Sequence, residues 1–223
     1  MSIFREIVNL WKSEDLLSQA WDESYKMMTL SNEIFTQAIK YLREGENMKT
    51  IKTLKKRDSE INMFQKDVRR KVVTHYAISQ DLNDLPNGLV LLNMVVDIER
   101  VGDYTKNILD LALNHPDTIR SEDFSEDLAE IEQEVILRFN KTIEAINAQD
   151  EKVAQSLMLS YKDVVKVSDQ IVNGCISGEI KQGNESKTVA LALYARYLKR
   201  IAAHLKNIST ILVNPFEAVG YKK

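Results

Sequence analysis

The stretch DIERVGDYTKN, residues 97–107, places Glu99 and Asp103 one helical turn apart with Gly102 between them. Like charges at i and i+4 destabilise a helix by roughly 0.2–0.5 kcal/mol, and a mid-helix glycine costs about 1 kcal/mol relative to alanine. A helix that accepts both penalties together needs a compensating interaction. The preceding helical segment carries RDSEINM, which sets Asp58 and Asn62 one turn apart as well. Packed helices lie about 8–10 Å apart, so Asp58, Asn62, Glu99 and Asp103 can converge from two neighbouring helices. Four oxygen-bearing side chains suit a hard cation: iron, manganese, magnesium or calcium. Gly102 would let the neighbouring helix or a ligand approach closely. The spacing leaves a second reading open, a solvated face on which Asp103 pairs with Lys106 and Asp97 with Arg100, each at i+3.

The elements that must position these residues are long and helical. Breakers divide the chain into six periodic segments: about 13–42, 48–79, 84–114, 125–148, 151–178 and 187–212. The third opens on NDLPNG, with Asn83 or Asp84 as the expected cap and Pro86 in the first turn, where a missing N–H costs nothing. Its apolar residues Leu89, Leu92, Val96, Val101, Ile108 and Ala112 recur at helical spacing and bury one face.

The segments repeat. AIKYLREGEN (38–47) aligns with TIEAINAQDE (142–151), 104 residues on, and IERVGDYTKNI (98–108) aligns with LKRIAAHLKNI (198–208), 100 residues on. The expected fold is all-α: two tandem three-helix bundles, end to end or side by side, with residues 1–117 forming the first plus an N-terminal extension and 118–223 the second.

Composition narrows the function classes. The chain has 223 residues, 44% hydrophobic and 28% charged, with a formal net charge of −3. That balance argues against a nucleic-acid partner, which a basic stripe would attract. A single cysteine, Cys175, excludes an internal disulfide and reads as a small buried hydrophobe. No secretion signal or membrane-spanning run is legible, so a cytoplasmic location is expected. There is no glycine-rich phosphate loop and no nucleophile–base pattern, so no enzyme and no organic cofactor are expected. A di-iron carboxylate enzyme would need Glu-x-x-His, which is absent.

At these residues the chain resembles the PhoU family of phosphate-uptake regulators. DIERVGDYTKNI is similar to that family's acidic signature, and RDSEINMF to its motif on the preceding helix. The duplicated three-helix plan extends the resemblance over essentially the whole chain. The resemblance implies a regulator of phosphate transport, peripheral to the inner face of the membrane. It would contact a membrane phosphate transporter subunit and, where one exists, a sensor kinase; a homodimer is compatible with it. It also implies metal ligands at Asp58, Glu99 and Asp103, with Asn62 a further candidate.

The second half departs from that pattern. The two offsets place Lys162 opposite Asp58, Lys166 opposite Asn62, Lys199 opposite Glu99 and Ala203 opposite Asp103. Metal is therefore expected in the first bundle only, and the three lysines should lie together. The loss motivates an alternative, a metal-free helical adaptor or scaffold for another ion transporter. Elsewhere, Ile3, Phe4, Ile7, Val8 and Trp11 form one apolar stripe expected to pack on the bundle. His204 reads as a surface or hydrogen-bonded histidine rather than a metal ligand, His75 and His115 as helix-end partners, and the basic run 49–57 as a solvated face.

Overall fold

The computed structural model describes residues 15–79, 82–115, 126–148, 150–181 and 183–221. The N-terminal stripe from Ile3 to Trp11 lies outside them. Among the described residues there are helices and no strands. They are α1 (Leu16–Glu44), α2 (Met48–Lys56), α3 (Asp58–Ser79), α4 (Leu85–Asn114), α5 (Glu126–Ala148), α6 (Glu151–Ser177) and α7 (Glu185–Val213), with a final 3-10 turn at Phe216–Ala218.

Local chemistry starts most of these helices. Asp15, Asn47, Asp150 and Asn184 each accept a hydrogen bond from a first-turn N–H, at 2.8–3.0 Å, which satisfies donors that the helix itself leaves unpaired. Asp84 departs from expectation. It stands before α4, but its backbone (φ −102°, ψ 10°) is not extended and its side chain makes no cap bond. It turns instead to His75, 3.3 Å away.

The segment expected as one helix over 48–79 is two. Arg57 keeps helical dihedrals (φ −64°, ψ −13°), yet the hydrogen bonds around it tighten to the i→i+3 pattern, Arg57 N–H to Leu54 O and Glu60 N–H to Arg57 O. The charge order KKRDSE fits such a break. Lys55 and Lys56 close α2, while Asp58 and Glu60 open α3, each complementing a helix-end dipole. The break sets Asp58 in the first turn of a helix, facing α4.

Helices α1, α3 and α4 pack together, as do α5, α6 and α7. The two bundles sit side by side, because α1 also packs on α5 and α4 on α7. One hydrophobic cluster runs through both, from Trp21 and Phe35 to Phe139 and Leu198.

The repeat offsets acquire a geometric meaning here. Phe35 and Phe139, 104 residues apart, meet with ring centroids 5.6 Å apart. Tyr104 and His204, 100 residues apart, stack at 5.9 Å and 26°. Each of these residues thus packs on its own counterpart from the other half. The contact of Asp97 with His204 is mirrored by that of Tyr104 with Tyr197, because 97 and 197 are counterparts, as are 104 and 204. Such reciprocity is the mark of an isologous interface with a two-fold axis, here within one chain.

Candidate functional site

The α3–α4 seam gathers the four side chains singled out in the sequence. Asp58, 14% exposed, accepts a hydrogen bond from Asn62 Nδ2 at 3.0 Å. Gly102 faces it: a Cβ there would stand 3.1 Å from Ile61 Cδ1 and 3.6 Å from Asp58 Oδ1. The glycine therefore lets the neighbouring helix pack closely. Glu99 and Asp103 lie on the same face of α4. Burial pushes the Glu99 carboxyl above its ordinary pKa, and the nearby Asp103 carboxylate adds to the rise against the opposing pull of Arg100.

The cation that reconciles these carboxylates is carried by the chain. Lys106 Nζ lies 3.0 Å from Asp58 Oδ2 and 3.0 Å from Asp103 Oδ1. Burial opposes its charge, but the hydrogen bonds to the two aspartates hold its pKa above the ordinary lysine value. Arg100 Nη1 lies 3.1 Å from Asp103, on the outer and more exposed side. The expected Asp103–Lys106 pair is present. The expected Asp97–Arg100 pair is not: Asp97 turns to α7, where His204 Nδ1 lies 2.7 Å away and Asn207 Nδ2 donates at 3.2 Å. Successive turns of α4 present different faces, and α7 covers the one that holds Asp97. Of the two sequence readings of His204, surface or hydrogen-bonded, the structure has the second, with the ring largely buried against α4.

The donor set fits a hard cation in its chemistry. Asp58 Oδ1 is buried and accepts no hydrogen bond from any described residue, and two further carboxylates stand nearby. Among the described residues, however, no three of His, Cys, Asp or Glu close around a common point in ligand geometry. The Lys106 ammonium stands between them.

The second bundle uses the corresponding seam differently. Lys199, the counterpart of Glu99, donates to both carboxylate oxygens of Asp169 at 2.6 and 2.7 Å. By the 104-residue offset, Asp169 stands where Gln65 does. Lys162 and Lys166 are exposed, whereas Lys199 is mostly buried in its ion pair. The three lysines therefore do not form one exposed cationic face, because Asp169 claims Lys199.

Two buried polar groups had no signal in the sequence. Glu132 of α5, 3% exposed, receives Arg43 of α1 at 2.9 Å and the Tyr194 hydroxyl of α7. Arg138, fully buried, donates to Leu157 O, Ser160 and Glu134 along a groove of about 430 Å³ between α5 and α6. Both occupy helical core positions where periodicity predicts an apolar residue. Cys175, read as buried, is only half-buried. The basic run 49–57 is amphipathic rather than wholly solvated, since Ile51 and Leu54 are buried.

Comparison with known proteins places this architecture. The PhoU domain model matches twice, over residues 25–112 and 128–212. A sequence search of curated proteins finds no match. Among solved structures, PhoU from Pseudomonas aeruginosa superimposes with a TM-score of 0.77 at 18% identity, over 89% of this chain and 95% of that one. The phosphate transport system regulatory protein PhoU from Streptococcus pneumoniae superimposes with a TM-score of 0.73 at 17% identity, over 88% and 92%. At such identities the superpositions speak for the fold, and the doubled domain match, which spans most of the chain, speaks for descent: the chain belongs to the PhoU family.

Proposed function

We propose that this protein regulates phosphate transport through protein–protein contacts, without catalysing a reaction. It would act at the cytoplasmic face of the membrane on a phosphate transporter subunit and, where one is present, on a sensor kinase. The observation that carries this reading is the PhoU domain matched in both halves, each folded as a three-helix bundle. No described helix is long and apolar enough to cross a membrane, so a membrane partner would be met from outside the bilayer. The test is to tag the chain in its own cell, recover associated membrane proteins, and measure phosphate uptake with and without the chain. Co-recovery of a phosphate permease and altered uptake on deletion are expected. Unchanged uptake with another ion transporter recovered would favour the adaptor reading.

Within that function, Asp58, Asn62, Glu99 and Asp103 are the residues that would hold a hard metal ion, in the first bundle only. A bound metal would supply positive charge that ties α3 to α4 and relieves the repulsion between Glu99 and Asp103. Because binding to the folded state alone adds stability by mass action, metal would raise the melting temperature and Glu99→Ala would abolish that rise. The metal-free reading is favoured by one observation, the ammonium already seated among the carboxylates. Elemental analysis of the purified protein separates the two.

A further inference from the structure

Helix α3 packs on α1 and α4 and buries Ile61, Val68 and Val72. Its opposite face mixes cations with apolar side chains. Met63, Lys66, Arg70, Val73 and Ala77 recur at three and four residues and so form one stripe, with Arg69 beside it. All six are exposed, Met63 by 61% and Val73 by 65%. Arg70 meets Asp67 at 2.9 Å, whereas Lys66 and Arg69 make no ion pair with any described residue. The face thus carries three cations against one carboxylate, with apolar side chains at both ends.

The duplication supplies an internal control. The offset of 104 places Gln170, Asn173 and Gly174 opposite Lys66, Arg69 and Arg70, and Ser177 opposite Val73. Gln170, Asn173 and Ser177 are exposed too. The same position in the same fold is therefore filled by neutral polar residues in the second bundle. Packing demands neither the cations nor the valine of the first, and Lys66 and Arg70, at i and i+4, repel each other.

We infer that the outer face of α3 docks an acidic segment of a protein partner, whose carboxylates meet Lys66, Arg69 and Arg70 and whose apolar side chains rest on Met63 and Val73. This rests on the protein-contact reading above and names the chemistry of the surface contacted. Charge decides among the occupants. A second copy meeting this face through a two-fold axis would bring the same cations together. A bilayer takes up a helix through a continuous apolar face, whereas Met63 and Val73 lie about 15 Å apart along the axis, with the cations between them.

The test treats cells carrying the tagged full chain with a zero-length carbodiimide, which joins an amine to a carboxylate only where the two touch. Mass spectrometry should find Lys66 Nζ in an amide with an aspartate or glutamate of a phosphate transporter subunit or sensor kinase, within an acidic stretch. The variant Lys66→Glu/Arg69→Glu/Arg70→Glu should recover that partner at least about tenfold less well near 0.1 M salt, because like charges then face each other. Recovery by the parent should fall toward that level as salt approaches about 1 M. Gln170→Glu/Asn173→Glu, on the counterpart face, should leave recovery unchanged. Circular dichroism checks the fold, and Lys66→Gln/Arg69→Gln, which adds no repulsion, should give a smaller loss in the same direction. Equal recovery of a phosphate transporter by the parent and the charge-reversed variant would overturn the inference and leave the regulator reading standing. A Lys66 amide to an acidic segment of a protein with no part in phosphate transport would support the inference and overturn that reading. Two results would reassign the face and overturn the inference: a Lys66 amide to a second copy of this chain, or binding to phosphatidylcholine–phosphatidylserine vesicles that the charge-reversed variant loses, with no Lys66 amide to any protein.

Discussion

Asp103 holds two cations, Lys106 Nζ at 3.0 Å and Arg100 Nη1 at 3.1 Å, while standing one turn from Glu99. The balance of these terms can be read from a single substitution. Partly exposed ion pairs contribute about 0.2–1 kcal/mol each, and relief of a like-charge pair at i+4 returns roughly 0.2–0.5 kcal/mol. Asp103→Asn in chelator-treated buffer should therefore lose up to about 1 kcal/mol, read from urea unfolding at constant slope. A variant more stable than the parent would mean that repulsion from Glu99 outweighs both cations. If the proposed metal site is real, the loss should grow with metal present, because a ligand would be gone as well as an ion pair.

Helix ends and helix contacts carry the next level of organisation. α6 stops at Gly178, which adopts a left-handed conformation (φ 78°, ψ 11°) and donates its N–H to Cys175 O. Ile180 N–H closes back on Gly174 O, and its side chain lies over that glycine, so closely that a Cβ at 174 would fall 2.7 Å from Ile180 Cδ1. The Gly178 bond is that of a Schellman ending, but the closing bond and the apolar contact come from Ile180, one residue beyond the position the motif uses. Gly178→Ala should cost about 1–2 kcal/mol, the penalty of an L side chain in that region, measured by thermal or urea unfolding. A smaller cost would mean that the α6–α7 connection relaxes around it. Between helices, Glu132 joins α5 to Arg43 of α1 and Tyr194 of α7. Arg43→Met should cost roughly 3–5 kcal/mol, because it leaves a buried carboxylate without its cation. The double variant Arg43→Met/Glu132→Leu should recover much of that loss; failure to recover would assign the cost to lost packing of the arginine stem.

Across the whole molecule, one core and an internal two-fold axis make the bundles interdependent. The Arg43 clasp and the Phe35–Phe139 contact both cross between them. Calorimetry should therefore show one unfolding transition, and Arg43→Met should move it without splitting it. Two resolved transitions would mean that the halves fold separately. Alkaline stability is also a property of the whole. Tyr194 is fully buried, and burial first and the Glu132 carboxylate second hold its pKa well above 10.0; Tyr76, Tyr161 and Tyr197 are raised in the same direction, chiefly by burial. A group whose folded pKa exceeds its unfolded value contributes stability that is intact below the unfolded pKa and lost as pH rises toward the folded one. The melting temperature should thus fall steeply above about pH 10. Tyr194→Phe should flatten that fall while lowering stability at neutral pH, since Glu132 then loses a donor. An unchanged alkaline slope in the variant would shift the effect to the other three tyrosines.

What the sequence determined by itself is what local forces determine. Helical periodicity, caps such as Asp15, Asn47, Asp150 and Asn184, and breakers between segments act within a few residues, so the helical plan, its duplication and the grouping of Asp58, Asn62, Glu99 and Asp103 on facing helices were legible. The i+3 pairing of Asp103 with Lys106 was legible for the same reason. Tertiary structure decided the rest. The tightening at Arg57 carries no proline or glycine to announce it. Whether Asp97 meets Arg100 or His204 depends on how α4 is rotated against α7. Lys106 reaches Asp58, and Arg43 reaches Glu132 across 89 residues, only because a shared apolar core fixes the register of those helices. Spacing along one helix sets which side chains share a face; only packing between helices sets what that face meets.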